Sequence, residues 1–101
     1  PTSANHEDHN SMGSIAARKC FQILKNVQAV LAIEILTACQ GLEFLKPLKP
    51  GTGSSIAYKT VRKSVPALEN DRIIYKDIER VKEMILNNNL LDEVAKKIDI
   101  Q

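Results

Sequence analysis

Four consecutive side chains near the start of the chain, His6, Glu7, Asp8 and His9, set two imidazoles beside two carboxylates. Groups of these types can ligate a metal, move a proton or hold a polar substrate. Zinc proteases use H-E-x-x-H, in which the i, i+4 spacing brings both imidazoles to one helical face with the Glu beside the bound water. Here the histidines are three apart, and the chain has 2 in all. A closed zinc site needs four N or S ligands, so no metal is expected. The cluster reads instead as a polar segment at a helix start, where acids suit the positive end of the helix dipole. Acid-base work by the same groups would need a closed cleft and a perturbed pKa, with walls supplied by segments from elsewhere.

Two further stretches could carry chemistry. "PGTGSS", from Pro50 to Ser55, contains G-x-G but has neither a preceding strand nor the Gly-Lys-Ser/Thr of a phosphate loop. It reads as a flexible loop. Lys46, Lys49, Lys59, Arg62 and Lys63 occur without an intervening acid and with a single tyrosine for stacking, Tyr58. That is the pattern of a solvated surface more than of a nucleic-acid site.

Composition agrees. With 14 basic and 12 acidic residues the net charge is +2, too small for a nucleic-acid footprint or a polybasic membrane anchor. The longest strongly apolar run, Ala29 to Ile33, stops at Glu34, short of the ~20 residues that span a bilayer. A soluble chain with neither nucleic-acid nor membrane partners is expected. Its 101 residues make one small domain at most. The opening Pro1 and the lack of a charged-then-apolar leader suggest a piece of something longer.

The elements that must position these residues are helices. From Ser11 to Leu45 there is no proline, and Ile15, Phe21, Leu24, Val27, Leu31, Ile35, Ala38 and Leu42 recur at helical spacing. One long helix over 11–45 is predicted, capped by Ser11 and stopped before Pro47. Val30, Ile33 and Leu36 fall outside that stripe, so two faces seek burial, and helices from other segments or subunits are needed to cover them. Glu34 is then either a satisfied buried group or an exposed seam. Cys20 and Cys39 would sit about 28 Å apart on this helix, too far for a disulfide, and read as buried structural thiols in a reducing compartment.

"KPLKPGTG", residues 46–53, is a loop. A short helix follows, capped by Ser54 or Ser55 and ended by Pro66, then a loop at "ALENDRI". "KDIERVKEMILNN" places Ile78, Val81, Met84 and Ile85 on one face of a third helix with Asp77 near its start. Leu91, Val94, Ala95 and Ile98 give a short fourth. "RIIY" is too short to be a strand, and the fold class is all-α: a long central helix followed by shorter ones, as part of a larger bundle. The chain divides into a site segment (1–10), the bundle helix (11–45) and a loop with short C-terminal helices (46–101).

In order and spacing, "PTSANHEDHNSMGSIAARK", "VLAIEILTACQGLEF", "KPLKPGTG", "AYKTVRKSVPALENDR" and "DIE" resemble the C-terminal part of the aromatic amino acid lyase family, over Pro1 to about Glu79. The resemblance implies a cytoplasmic, mainly helical homotetramer whose active sites draw on more than one subunit. It implies a methylidene-imidazolone electrophile formed from an internal Ala-Ser-Gly, which these residues lack. With L-histidine as substrate, ammonia would leave and trans-urocanate result; a tyrosine- or phenylalanine-specific relative, an aminomutase, or a purely associative helical module are the alternatives. The family motif S-A-N-Q-E-D-H assigns Glu7 as the catalytic and substrate-binding carboxylate. His6 replaces the motif's Gln and adds a group that titrates near pH 6.5. Asn5, Asp8 and His9 match as supporting positions that orient it. The isolated piece is expected to be inactive.

Overall fold

The structure, a computed structural model, describes the backbone of residues 8–99 and the side chains of residues 13–99. Four helices follow one another: α1 (Asp8–Phe44), α2 (Thr52–Arg62), α3 (Tyr75–Leu86) and α4 (Asn89–Ala95). No strand occurs among the described residues, and Arg72 to Tyr75 contribute a connection and the first residue of α3. The all-α expectation holds.

Helix α1 is 37 residues long and, at ~1.5 Å per residue, about 55 Å from end to end. It already includes Asp8, so Ser11 lies inside the helix rather than capping it. No proline or glycine separates Asp8 from Ser11 to stop the helix there. At the other end the backbone tightens, with Leu45 N–H donating to Leu42 O (3.1 Å) and Leu48 N–H to Leu45 O (2.9 Å), and Pro47 prevents continuation.

The later boundaries depart from expectation for local reasons. Helix α2 begins at Thr52 with Gly51 as an extended N-cap (φ −61°, ψ 171°), so neither Ser54 nor Ser55 is its cap. Glycine is an accepted N-cap residue, and Ser55 N–H already closes the first turn on Gly51 O at 2.8 Å. Between α3 and α4, Asn88 takes a left-handed conformation (φ 59°), which asparagine tolerates better than most residues. Gly53 lets α4 approach α2: a Cβ there would stand 2.8 Å from Ile98 Cδ1.

The core comprises Ala32, Cys39, Val61, Val65, Val81 and Met84, flanked by Ile35, Leu36 and Ile78. Helix α1 packs on α3, α2 on α4, and α3 on α4. Only the C-terminal part of α1 takes part. Ahead of Ala32 the helix projects, with Ile15, Phe21, Ile23, Leu24, Val27 and Val30 exposed. The radius of gyration is 19.0 Å and the extents are 65 × 36 × 18 Å, against about 13 Å for the radius of a compact domain of this length. Cys20 is exposed and Cys39 buried, which corrects the reading of two buried thiols: Cys20 sits on the projecting part. Glu34 is exposed, so it marks a seam and not a buried polar group.

The sequence reading of α1 as too briefly apolar for a membrane also needs correction. Gly13–Phe44 is long and apolar enough to cross a bilayer, with an 18-residue window of mean hydropathy 1.4. An uninterrupted run understates it because Glu34, between Ile33 and Ile35, is a single charge in an otherwise apolar stretch.

Residues between α2 and α3 are tied down by polar side chains. Gln40 on α1 donates through Nε2 to Leu68 O (3.1 Å) and accepts Leu68 N–H at Oε1 (3.0 Å). Arg72 donates to Asp77 Oδ2 through Nε (3.0 Å) and to the carbonyls of Ala67 and Pro66. The Asp77 side chain is only 7% exposed, so the acid predicted as a helix-start charge is the buried half of an ion pair. Since charged hydrogen bonds contribute roughly 1.5–3 kcal/mol each, Arg72→Ala and Asp77→Ala should each destabilise by about that much. Denaturant unfolding of the double variant should show a loss smaller than the sum, by about 1 kcal/mol or more.

Candidate functional site

Asn5, His6 and Glu7 lie outside the described residues, and of Asp8 and His9 only the helical backbone is described. What the structure contributes is the element that carries two of them: Asp8 and His9 lie in α1, and Glu7 directly precedes them in the chain. A carboxylate can accept hydrogen bonds from a cationic or N–H-bearing ligand. Among the described residues no group of three or more His, Cys, Asp or Glu side chains is arranged to hold a metal.

At the far end of α1 the structure assembles a cluster that sequence reading missed. The Tyr58 hydroxyl and Arg62 Nε (3.4 Å) both donate to Glu43 Oε1, and Lys46 Nζ lies 3.1 Å from Glu43 Oε2. The Tyr58 ring has two cations near it, Lys46 Nζ 5.8 Å and the Arg62 guanidinium 5.3 Å from its centroid. Arg62 also donates to Val65 O at 3.1 Å. The signal was present as two half-patterns, Glu43 with Lys46 at i, i+3 and Tyr58 with Arg62 at i, i+4. Their meeting depends on the chain bringing α2 to the C-terminal end of α1.

The chemistry of this cluster is adhesive. The hydrogen bond from Lys46, reinforced by the charge of Arg62, holds the Glu43 carboxyl below its ordinary range against a smaller opposing effect of burial. A carboxylate bonded on both oxygens is a poor proton acceptor for anything else. Burial is also the main influence on Cys39, raising its thiol pKa, so that little reactive thiolate forms. A groove of about 650 Å³ runs between Ile33, Leu36 and Phe44 on α1 and Val65, Leu68 and Ile78 opposite. Its lining is mainly apolar, and it reads as a packing surface.

Comparison with known proteins bears on the segment that the described residues do not reach. Residues 1–63 match the family described as aromatic amino acid lyase. The chain is 46% identical over 99% of its length to histidine ammonia-lyase of Alkaliphilus metalliredigens. It is 50% identical over 96% of its length to that of Caldanaerobacter subterraneus, and 46% identical over 98% to that of Caenorhabditis elegans. The similarity therefore continues past Glu79, where the motif resemblance fades. The chain spans 20%, 19% and 15% of the length of these three relatives. No solved structure matches it.

Glu43 supplies a pH dependence that can be measured. Its folded-state pKa is depressed from 4.5, so its contribution to stability is present above the unfolded value and lost as pH falls through the folded one. Thermal unfolding of Glu43→Gln should show lower stability than the parent at neutral pH, and the difference should shrink as the pH falls below the ordinary value of 4.5 toward the lowered one.

Proposed function

The chain belongs to the aromatic amino acid lyase family, and on that premise we propose that it is the C-terminal part of a histidine ammonia-lyase. The whole enzyme would remove ammonia from L-histidine to give trans-urocanate, a non-oxidative step of histidine degradation. The observation that carries this reading is identity of 44–50% with histidine ammonia-lyases over nearly the full chain.

Within this reading the site residue is Glu7. Its carboxylate accepts hydrogen bonds from the substrate's ammonium or imidazole N–H groups and can take up a proton released during elimination. His6 stands next to it where the family motif has Gln. An imidazole keeps a hydrogen-bonding capacity there but becomes a cation on protonation, which would place an added positive charge beside an already cationic substrate amine. Asn5, Asp8 and His9 orient the segment. The methylidene-imidazolone group supplies the electrophile when formed, but no Ala-Ser-Gly occurs in these 101 residues, so they do not fit the formation of that group. The electrophile belongs to another part of the parent, and the 101 residues by themselves would be inactive.

The same reading gives the projecting half of α1 its cover: sibling subunits of a cytoplasmic homotetramer. Support comes from the row of exposed apolar residues between Ile15 and Val30, a surface of the kind that marks association. Glu34, exposed in the same helix, favours a subunit bundle over a bilayer, because a carboxylate in lipid is costly without a partner. Two cysteines on one helix, not paired with each other, suit a reducing compartment.

Urocanate formation by the full-length protein, followed by absorbance, tests the activity, with phenylalanine and tyrosine as competing substrates. Glu7→Ala should lower kcat by about 100-fold or more; a variant as active as the parent would remove Glu7 from the site. His6→Gln should keep activity and flatten the pH profile between about 5.5 and 7.5. For the assembly, Val30→Glu in the full-length protein should shift sedimentation toward smaller species, and an unchanged tetramer would exclude this face from the interface.

A further inference from the structure

Where α1 ends and α2 folds back, two grooves lie side by side. The first, about 430 Å³, is lined by Leu42, Pro47, Leu48 and Pro50, with Lys49 among its walls. The second, about 510 Å³ and more open, is lined by Glu43, Arg62, Lys63 and Ala67. Lys46, Tyr58 and Lys59 belong to both. The arrangement therefore joins a mainly apolar recess to a cationic one through a common wall.

Five cations surround the pair of grooves, and Glu43 is the one carboxylate that lines them. Both of its oxygens are already taken, Oε1 by Tyr58 and Arg62 and Oε2 by Lys46. Among the described residues Lys49, Lys59 and Lys63 make no ion pair. Glu93, an acid within reach of the Lys63 charge, is bonded to Lys96 at 3.0 Å. The local positive charge is thus in excess of what the chain itself neutralises. Nucleic acid is a poor match, since Tyr58 is the one aromatic side chain that lines the grooves and single-strand binding uses several stacking platforms. The recess volume lies within the range of small-molecule sites, roughly 300–1,000 Å³.

We propose that the two grooves together bind a small amphiphilic anion, a carboxylate or phosphate carried on an apolar body. The body lies against Leu42, Leu48 and the two prolines, and the head group meets Lys59 and Lys63. The proposal does not depend on the lyase reading. Charge selects the head and the recess selects the body, so neither half alone suffices.

Isothermal titration of the full-length protein with octanoate and with octyl phosphate, both below their micelle concentrations, tests this. Inorganic phosphate and octanol serve as the head-only and body-only probes. Saturable binding of one molecule per chain is expected for octanoate, octyl phosphate or both, which identifies the preferred head group, with the two half-probes at least tenfold weaker. The exposed positions Lys59, Lys63 and Leu48 can be changed without disturbing the core. Lys59→Glu with Lys63→Glu, and separately Leu48→Asp, should each weaken binding at least tenfold while circular dichroism stays unchanged. The proposal is overturned if neither amphiphile binds saturably, if the variants bind as tightly as the parent, or if inorganic phosphate or octanol binds as well as the amphiphiles.

Discussion

A helix of 37 residues with apolar side chains on more than one face cannot be covered by the 55 residues that follow it among those described. Everything else in this structure answers to that constraint. The short helices gather at one end of α1, where Ala32 and Cys39 supply a buried surface, and the other end projects. Hydrophobic burial contributes in proportion to area removed from water, roughly 25 cal/mol per Å². The projecting Phe21, Leu24 and Val27 therefore represent stabilisation that only a neighbouring surface can realise.

What holds the short helices to α1 is apolar packing positioned by a few polar contacts. Gln40 pairs with the backbone of Leu68 much as a neighbouring strand would, satisfying a donor and an acceptor that the loop cannot satisfy itself. Arg72 gathers the carbonyls of Pro66 and Ala67 and the Asp77 carboxylate into one place, which sets the direction in which α3 leaves. Glu43 does the same for α2 through Tyr58 and Arg62. The Gln40 and Glu43 contacts join residues distant in the chain, those of Arg72 residues five or six apart, and each fixes an angle that Val61, Val65 and Val81 alone would leave loosely specified. The consequence for function is indirect: α1 links the motif-bearing segment at one end to a braced C-terminal region at the other.

Much of this was legible in the chain itself. Helical periodicity, the absence of proline from Ser11 to Leu45 and the punctuation by Pro47, Pro66 and the asparagines gave four helices in the right order, because those signals act through local backbone geometry. The candidate site was legible as a motif, with Glu7 singled out by its match to the family pattern and His6 by its departure from it. Helix ends were less legible: Ser11, Ser54 and Ser55 have the chemistry of caps, but a helix starts where its first turn can close, and here that lies a few residues earlier. The burial of Asp77, the exposure of Cys20 and the Glu43 cluster had no local signal strong enough to read. The sequence by itself determined the helical class, the length of α1 and its excess of apolar surface, since these follow from residue types at fixed short spacings. Only the tertiary structure decided which end of α1 is covered, which acids are paired and where the unneutralised lysines collect, because those depend on how α3 packs on α1 and where that packing leaves α2.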